Sequence, residues 1–127
     1  MLKERSIRTR AAEWRTIYDR IQVAMELTSR LNVLRFSDID TRNALLNELL
    51  GRPLPEHAII HPPFYCTYGL GIELGERTSV GQACSFLDLG VITIGDRTMI
   101  SPKVTLITEG HPSSQLSAMA SLLWRRS

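Results

Sequence analysis

The stretch Tyr68–His111, YGLGIELGERTSVGQACSFLDLGVITIGDRTMISPKVTLITEGH, keeps a six-residue beat. Tyr68, Leu74, Val80, Phe86, Ile94, Ile100 and Leu106 recur where each new hexad begins. A short fixed period of this kind marks a solenoid. The second position of the hexads is Gly69, Gly75, Gly81 and then Gly95, small enough for tight corners, and the fifth is Ile72, Thr78, Cys84, Thr98 and Val104. The pattern fits a short left-handed parallel β-helix. Each hexad would supply one strand and one turn, three hexads would close a triangular coil, and the apolar first residues would point into the prism.

One step is irregular: Phe86 to Ile94 is eight residues, so the segment from Asp88 to Thr93 carries two extra. Insertions in repeat arrays form loops on one face, often the binding face, which marks Asp88 as a candidate. The beat predicts an inward column of Tyr68, Phe86 and Leu106 and another of Val80 and Ile100. With strands about 4.8 Å apart, it also brings Asp88 and His111 from successive coils to one edge. Cys66 and Cys84 are eighteen residues apart, one coil of three hexads, and are expected to stack as two buried small hydrophobes rather than as a disulfide.

Outward from this core, residues 1–52 read as a helical segment. Trp14, Ile17, Ile21, Ala24, Met25, Leu31 and Leu34 recur at three- and four-residue steps and predict one buried stripe. After a break at Arg35 to Asp38, Ser37 or Asp40 would cap a second helix that buries Leu45, Leu46, Leu49 and Leu50 and stops at Gly51 and Pro53. Arg52 to Pro63, with four prolines, reads as an extended linker. Residues 53–112 form the β-helix coils, and residues 113–127 lack the beat and read as a non-repetitive tail.

Composition narrows the classes of function. The formal net charge of the 127 residues is +2, which implies neither a disordered polyelectrolyte nor a nucleic-acid surface. No apolar run is long enough to span a bilayer and no signal-peptide core is present, so the expectation is a cytoplasmic protein without membrane or nucleic-acid partners. His57 and His61 are four apart, but the prolines around them argue against a helical metal pair; surface histidines and no metal are expected.

The runs Pro62-Pro63-Phe64-Tyr65-Cys66-Thr67-Tyr68-Gly69, Cys84-Ser85-Phe86-Leu87-Asp88, Ile94-Gly95-Asp96 and Thr108-Glu109-Gly110-His111-Pro112 resemble the hexapeptide-repeat sugar O-acetyltransferases of the maltose/galactoside type. The resemblance implies acetyl transfer from acetyl-CoA, as co-substrate, to a hydroxyl of a sugar or similar acceptor. It implies His111 as the general base and Asp88 as a hydrogen-bond acceptor that orients the acceptor hydroxyl. Imidazole suits the first role because its ordinary pKa, near ~6.5, leaves it neutral and basic at cellular pH. Family members are typically trimers with sites between subunits, so a homotrimer is implied. Many carry an asparagine in the hexad before the Leu-Asp motif, where Gly81-Gln82-Ala83 has none; Gln82 is the candidate polar substitute. Tyr68 either fills the prism core or packs on a sugar ring.

Taken alone, an aspartate in an inserted turn is commonly turn chemistry, so Asp88 by itself is weak evidence of a site. The family continues beyond its His-Pro motif with further coils that supply much of the acetyl-CoA groove, so this chain reads as truncated after Pro112 and no residue is assigned to the donor. A non-catalytic β-helical remnant or interaction module is the alternative function. A metal-dependent hydratase, another use of the same fold, gains little from the spacing of His57, His61 and His111.

Overall fold

Two helices precede eight short strands in the computed structural model, which describes residues 2–108, and side chains from residue 11 onward. Helix α1 spans Leu2–Leu31 and α2 spans Ile39–Leu50. The strands are β1 (Ile59–Ile60), β2 (Phe64–Cys66), β3 (Ile72–Leu74), β4 (Ser79–Val80), β5 (Cys84–Leu87), β6 (Ile92–Ile94), β7 (Met99–Ile100) and β8 (Thr105–Ile107). They pair in parallel as three narrow sheets, β1-β4-β7, β2-β5-β8 and β3-β6, so every third strand lies on the same face. This is the solenoid that the beat predicts.

The register corrects the expected coil length. Ile60 pairs with Val80 and Val80 with Ile100, Cys66 with Phe86 and Phe86 with Leu106, and Leu74 with Ile94. Each offset is twenty residues, not eighteen. The reason is that the eight-residue step occurs in both coils: Cys66 to Leu74 repeats Phe86 to Ile94. Tyr68 happens to fall six residues before Leu74 but belongs to the inserted loop. Cys66 therefore replaces Tyr68 beneath Phe86, and the two cysteines do not stack; Cys84 pairs with Phe64 instead. The column of Val80 and Ile100 stands as expected, and Ile60 extends it downward.

Burial follows the corrected column. Ile60, Phe64, Ile72, Val80, Cys84, Phe86, Ile92 and Leu106 are closed off from solvent, and the Phe64 and Phe86 rings meet edge to face with centroids 5.2 Å apart, a favoured aromatic geometry. Ile59, also expected in the linker, pairs with β4 and donates its N–H to the Thr78 carbonyl at 2.9 Å. The stretch expected as a linker thus supplies the first strand.

Glycine has a different role at the corners from the one expected. Gly75 and Gly81 lack positive φ; a Cβ on Gly81 would run into the backbone of Pro102 in the next coil. The left-handed turn residues are His57, Arg77 and Arg97 at one corner and Ala83 and Lys103 at another, all with φ between 57° and 64°. Close stacking selects glycine, and the turn itself is carried two residues later by side chains that point outward. Such φ values cost a non-glycine residue roughly 1–2 kcal/mol.

On α1 the buried residues are Ala24, Leu27, Thr28 and Leu31, with Ile17, Arg20 and Ile21 half-buried beside them. Trp14 and Met25, expected within the stripe, are 56% and 59% exposed. At 100° per residue they lie beyond Ile21, on the side away from Leu27 and Leu31. Helix α2 buries the four expected leucines together with Arg42 and ends at Gly51, φ 71°. Its N-cap position is Asp38, which makes no side-chain capping bond, so neither Ser37 nor Asp40 acts as the expected cap.

The helical segment closes the bottom edge of the coil. Strand β2 is an edge strand, and an unpaired edge invites misassociation. Asn32, one residue past α1, covers it: Nδ2 donates to the Phe64 carbonyl at 3.0 Å and Oδ1 accepts the Phe64 N–H at 2.9 Å. One amide side chain imitates a neighbouring strand. Asn32→Ala strands both backbone groups and is expected to lower stability by roughly 1–3 kcal/mol, read as a lower urea midpoint; an unchanged midpoint would show that this edge does not need its cover.

Candidate functional site

The eight-residue corners stack, and their peptide groups cannot all pair in the strand ladder. Asp88 solves this for the lower corner. It lies twenty residues after Tyr68, is fully buried, and accepts the Tyr68 N–H on Oδ1 at 2.9 Å and the Gly71 N–H on Oδ2 at 3.1 Å. The device recurs one coil higher. Thr108, twenty residues after Asp88, accepts the Gly90 N–H on Oγ1 at 2.9 Å and donates to the Leu87 carbonyl at 2.6 Å.

From below, the helical segment holds the carbonyls of the same loop. Arg20 of α1 donates Nε–H to the Tyr68 carbonyl at 3.2 Å, while its other donors take the Glu48 and Leu49 carbonyls at the end of α2. A cation there also complements the negative end of the helix dipole. Arg52 donates to the Leu70 carbonyl at 3.2 Å. Gly69, φ 85°, lies so close to the Leu49 carbonyl that no Cβ fits. The corner loop is clamped between two arginines and one carboxylate.

Burial pushes the Asp88 carboxyl above its ordinary range, and hydrogen bonds from Tyr68, Gly71, its own amide and Gly69 oppose the shift without cancelling it. Burial likewise pushes the Cys66 thiol up, with Asp88 adding to the effect and Arg20 opposing it. Cys84 is raised by burial against backbone hydrogen bonds from Val104 and Lys103, and its Sγ donates to the Ser101 carbonyl at 3.2 Å. Both thiols are buried and unpaired with each other, which suits packing and not nucleophilic chemistry.

The structure unites two of the candidate residues and separates a third. Asp88 and Tyr68 share one corner, joined through the Tyr68 backbone N–H. Gln82 lies at a different corner, between β4 and β5, where its carbonyl accepts the Lys103 N–H at 2.9 Å. His111 and the tail from Ser113 lie outside the described residues. Among the described residues, no three His, Cys, Asp or Glu side chains converge as a metal site, and no helix is long and apolar enough to cross a membrane. Sequence reasoning missed Thr108, Arg20 and Asn32. Thr108 was findable from the offset of twenty had the first eight-residue step been recognised; for the other two, only packing gives the signal.

Asp88→Asn turns one acceptor into a donor facing an N–H and is expected to cost roughly 1–3 kcal/mol. The pH dependence has a definite sign. Because the folded carboxyl binds its proton more tightly than the unfolded one, its contribution is full below about 3.9 and is lost as pH rises through the folded value. The stability gap between wild type and Asp88→Asn is therefore expected to narrow from pH 4 to pH 7 in urea titrations; a widening gap would contradict it. Native Cys66 and Cys84 are expected to react with Ellman's reagent only as fast as the chain unfolds.

No family model matches the chain. Nodulation protein L of Rhizobium leguminosarum bv. viciae is 40% identical over 80 residues, 63% of this chain and 42% of that protein. Galactoside O-acetyltransferase of Escherichia coli K12 is 34% identical over 76 residues, 60% of this chain and 37% of that one. A solved hexapeptide-repeat acetyltransferase from Vibrio cholerae, complexed with acetyl coenzyme A, superposes with a TM-score of 0.66 at 32% identity, over 71% of this chain and 48% of that one. The chain spans less than half the length of each of these proteins. Over the segment that they share, in sequence and in the path of its parallel coils, the chain is similar to these hexapeptide-repeat acetyltransferases.

Proposed function

We propose that this chain carries part of an acetyl-CoA-dependent O-acetyltransferase acting on a hydroxyl of a sugar or similar acceptor. The observation that supports it best is the shared coil frame: an acetyltransferase holding acetyl coenzyme A superposes on these coils at 32% identity. In this reading the coils wind left-handed, the assembly is a homotrimer and the protein works in the cytoplasm. Acetyl-CoA supplies the activated acyl group as a thioester.

His111 is the general base. Its neutral imidazole nitrogen takes the proton of the acceptor hydroxyl as the oxygen attacks the thioester carbonyl, and the resulting imidazolium returns that proton to the departing thiolate. Asp88, expected to touch the acceptor hydroxyl, acts instead as a positioning residue in this proposal, because both of its oxygens already hold backbone amides and the side chain has no exposed surface. Its carboxylate fixes the loop of Tyr68 to Gly71. Tyr68, half-buried on that loop, is the residue through which the corner meets an acceptor ring. Gln82, at the other corner, is left out of this acceptor site.

A second reading is favoured by the same buried carboxylate: a non-catalytic β-helical interaction module, for which Asp88 is architecture alone. Acetyl-CoA titration separates the two. Donor binding, with acetyl transfer to a panel of sugars that falls by roughly 10²–10⁴ in kcat/KM in His111→Ala at an unchanged urea midpoint, supports the enzyme. Absence of donor binding at millimolar concentration, or transfer indifferent to His111→Ala, overturns it in favour of the module.

A further inference from the structure

A cavity of about 160 Å³ opens where the end of α1, the connection to α2 and the first coil meet. Two cationic residues line it, Arg35 and Arg42, together with Gln82. Arg42 is only 7% exposed. Its guanidinium donates from one terminal nitrogen to the Phe36 carbonyl at 3.3 Å and lies 5.5 Å from the centre of the Phe36 ring. Among the described residues no carboxylate pairs with it.

A buried guanidinium without a counter-ion is costly, since desolvation is offset only by paired charge or hydrogen bonds. Guanidinium carries five N–H donors in a planar fork that matches an oxyanion in two-point contact, and the described protein supplies Arg42 with one carbonyl acceptor. No buried side-chain nitrogen or oxygen among the described residues lacks a partner. The Arg42 nitrogens that lack a protein acceptor therefore retain some accessible surface, and Arg42 lines this opening. Leu34, Pro62 and Pro63 also line the cavity and give it apolar surface alongside the two charges.

We infer that this cavity binds a small organic or inorganic oxyanion, a carboxylate or phosphate head held by Arg42 and Arg35, with Gln82 donating from its amide and a short apolar body resting on Pro62 and Pro63. The site is distinct from the Asp88 corner: it faces the turn between β4 and β5, whereas Asp88 follows β5. It also gives Gln82 a partner without invoking acyl transfer, and it stands whether or not the chain is an enzyme.

The test is a nitrogen-15 NMR titration of the full chain with inorganic phosphate, and separately with butyrate, at constant ionic strength against chloride. The expected result is a saturable shift of the Gln82 side-chain amide and the Phe36 backbone amide with at least one of the two anions. Saturation by phosphate or by butyrate identifies the head group. In Arg35→Gln, a change at an exposed position, the midpoint should rise at least fivefold. The same anion should raise the wild-type melting temperature by mass action and raise that of Arg35→Gln less. Linear shifts with both anions, or equal midpoints in wild type and Arg35→Gln, overturn the proposal.

Discussion

A parallel coil can pair the peptide groups of its straight strands, but not those of a corner that swells to eight residues. This constraint organises the rest of the molecule. The spare N–H groups of Tyr68 and Gly71 point up at Asp88, and that of Gly90 meets Thr108. A buried polar group left without a partner costs about as much as a lost hydrogen bond or more, so a corner of this length is tolerated only if the next coil brings an acceptor to the right place. An offset of twenty residues does that in both layers.

The same accounting explains why helices sit under the first coil. The lowest layer has no predecessor to supply its partners, so α1, the residues just beyond it and the end of α2 supply them instead. Asn32 replaces a missing strand for Phe64, and Arg20 and Arg52 collect the carbonyls of Tyr68 and Leu70. Because Arg20 also ties down the Glu48 and Leu49 carbonyls, the helix pair and the corner are held by one guanidinium. Hydrophobic burial of Leu27, Leu31, Leu46 and Leu49 provides the larger driving force; the polar contacts fix the seating.

The prism's corners consequently differ in chemistry. The eight-residue corner is held by internal hydrogen bonds to Asp88, Thr108, Arg20 and Arg52, and its carboxylate is buried. The corner at Gln82 and Ala83 adjoins the helical segment and two arginines, one of them buried without a carboxylate partner among the described residues. A residue's distance along the chain from the Leu-Asp motif says little about which corner it serves; six positions separate Gln82 from Asp88, yet one strand divides them.

Local side-chain periodicity was enough to determine the parallel solenoid, the four buried leucines of α2, its stop at Gly51 and the inward column of Val80 and Ile100, because each reflects a repeat or a steric rule acting over a few residues. It marked the importance of Asp88 from a single irregular step. It misjudged the coil length, since Tyr68 happens to sit on the beat while belonging to an inserted loop, and only cross-strand register distinguishes the two. Where the buried stripe of α1 ends, what caps the first edge and where the Asp88 oxygens point were decided by tertiary structure: each depends on partners far along the chain, seventeen and twenty residues away for Asp88, and pairing at that range is fixed by the closing of the coil, not by any local preference of the chain.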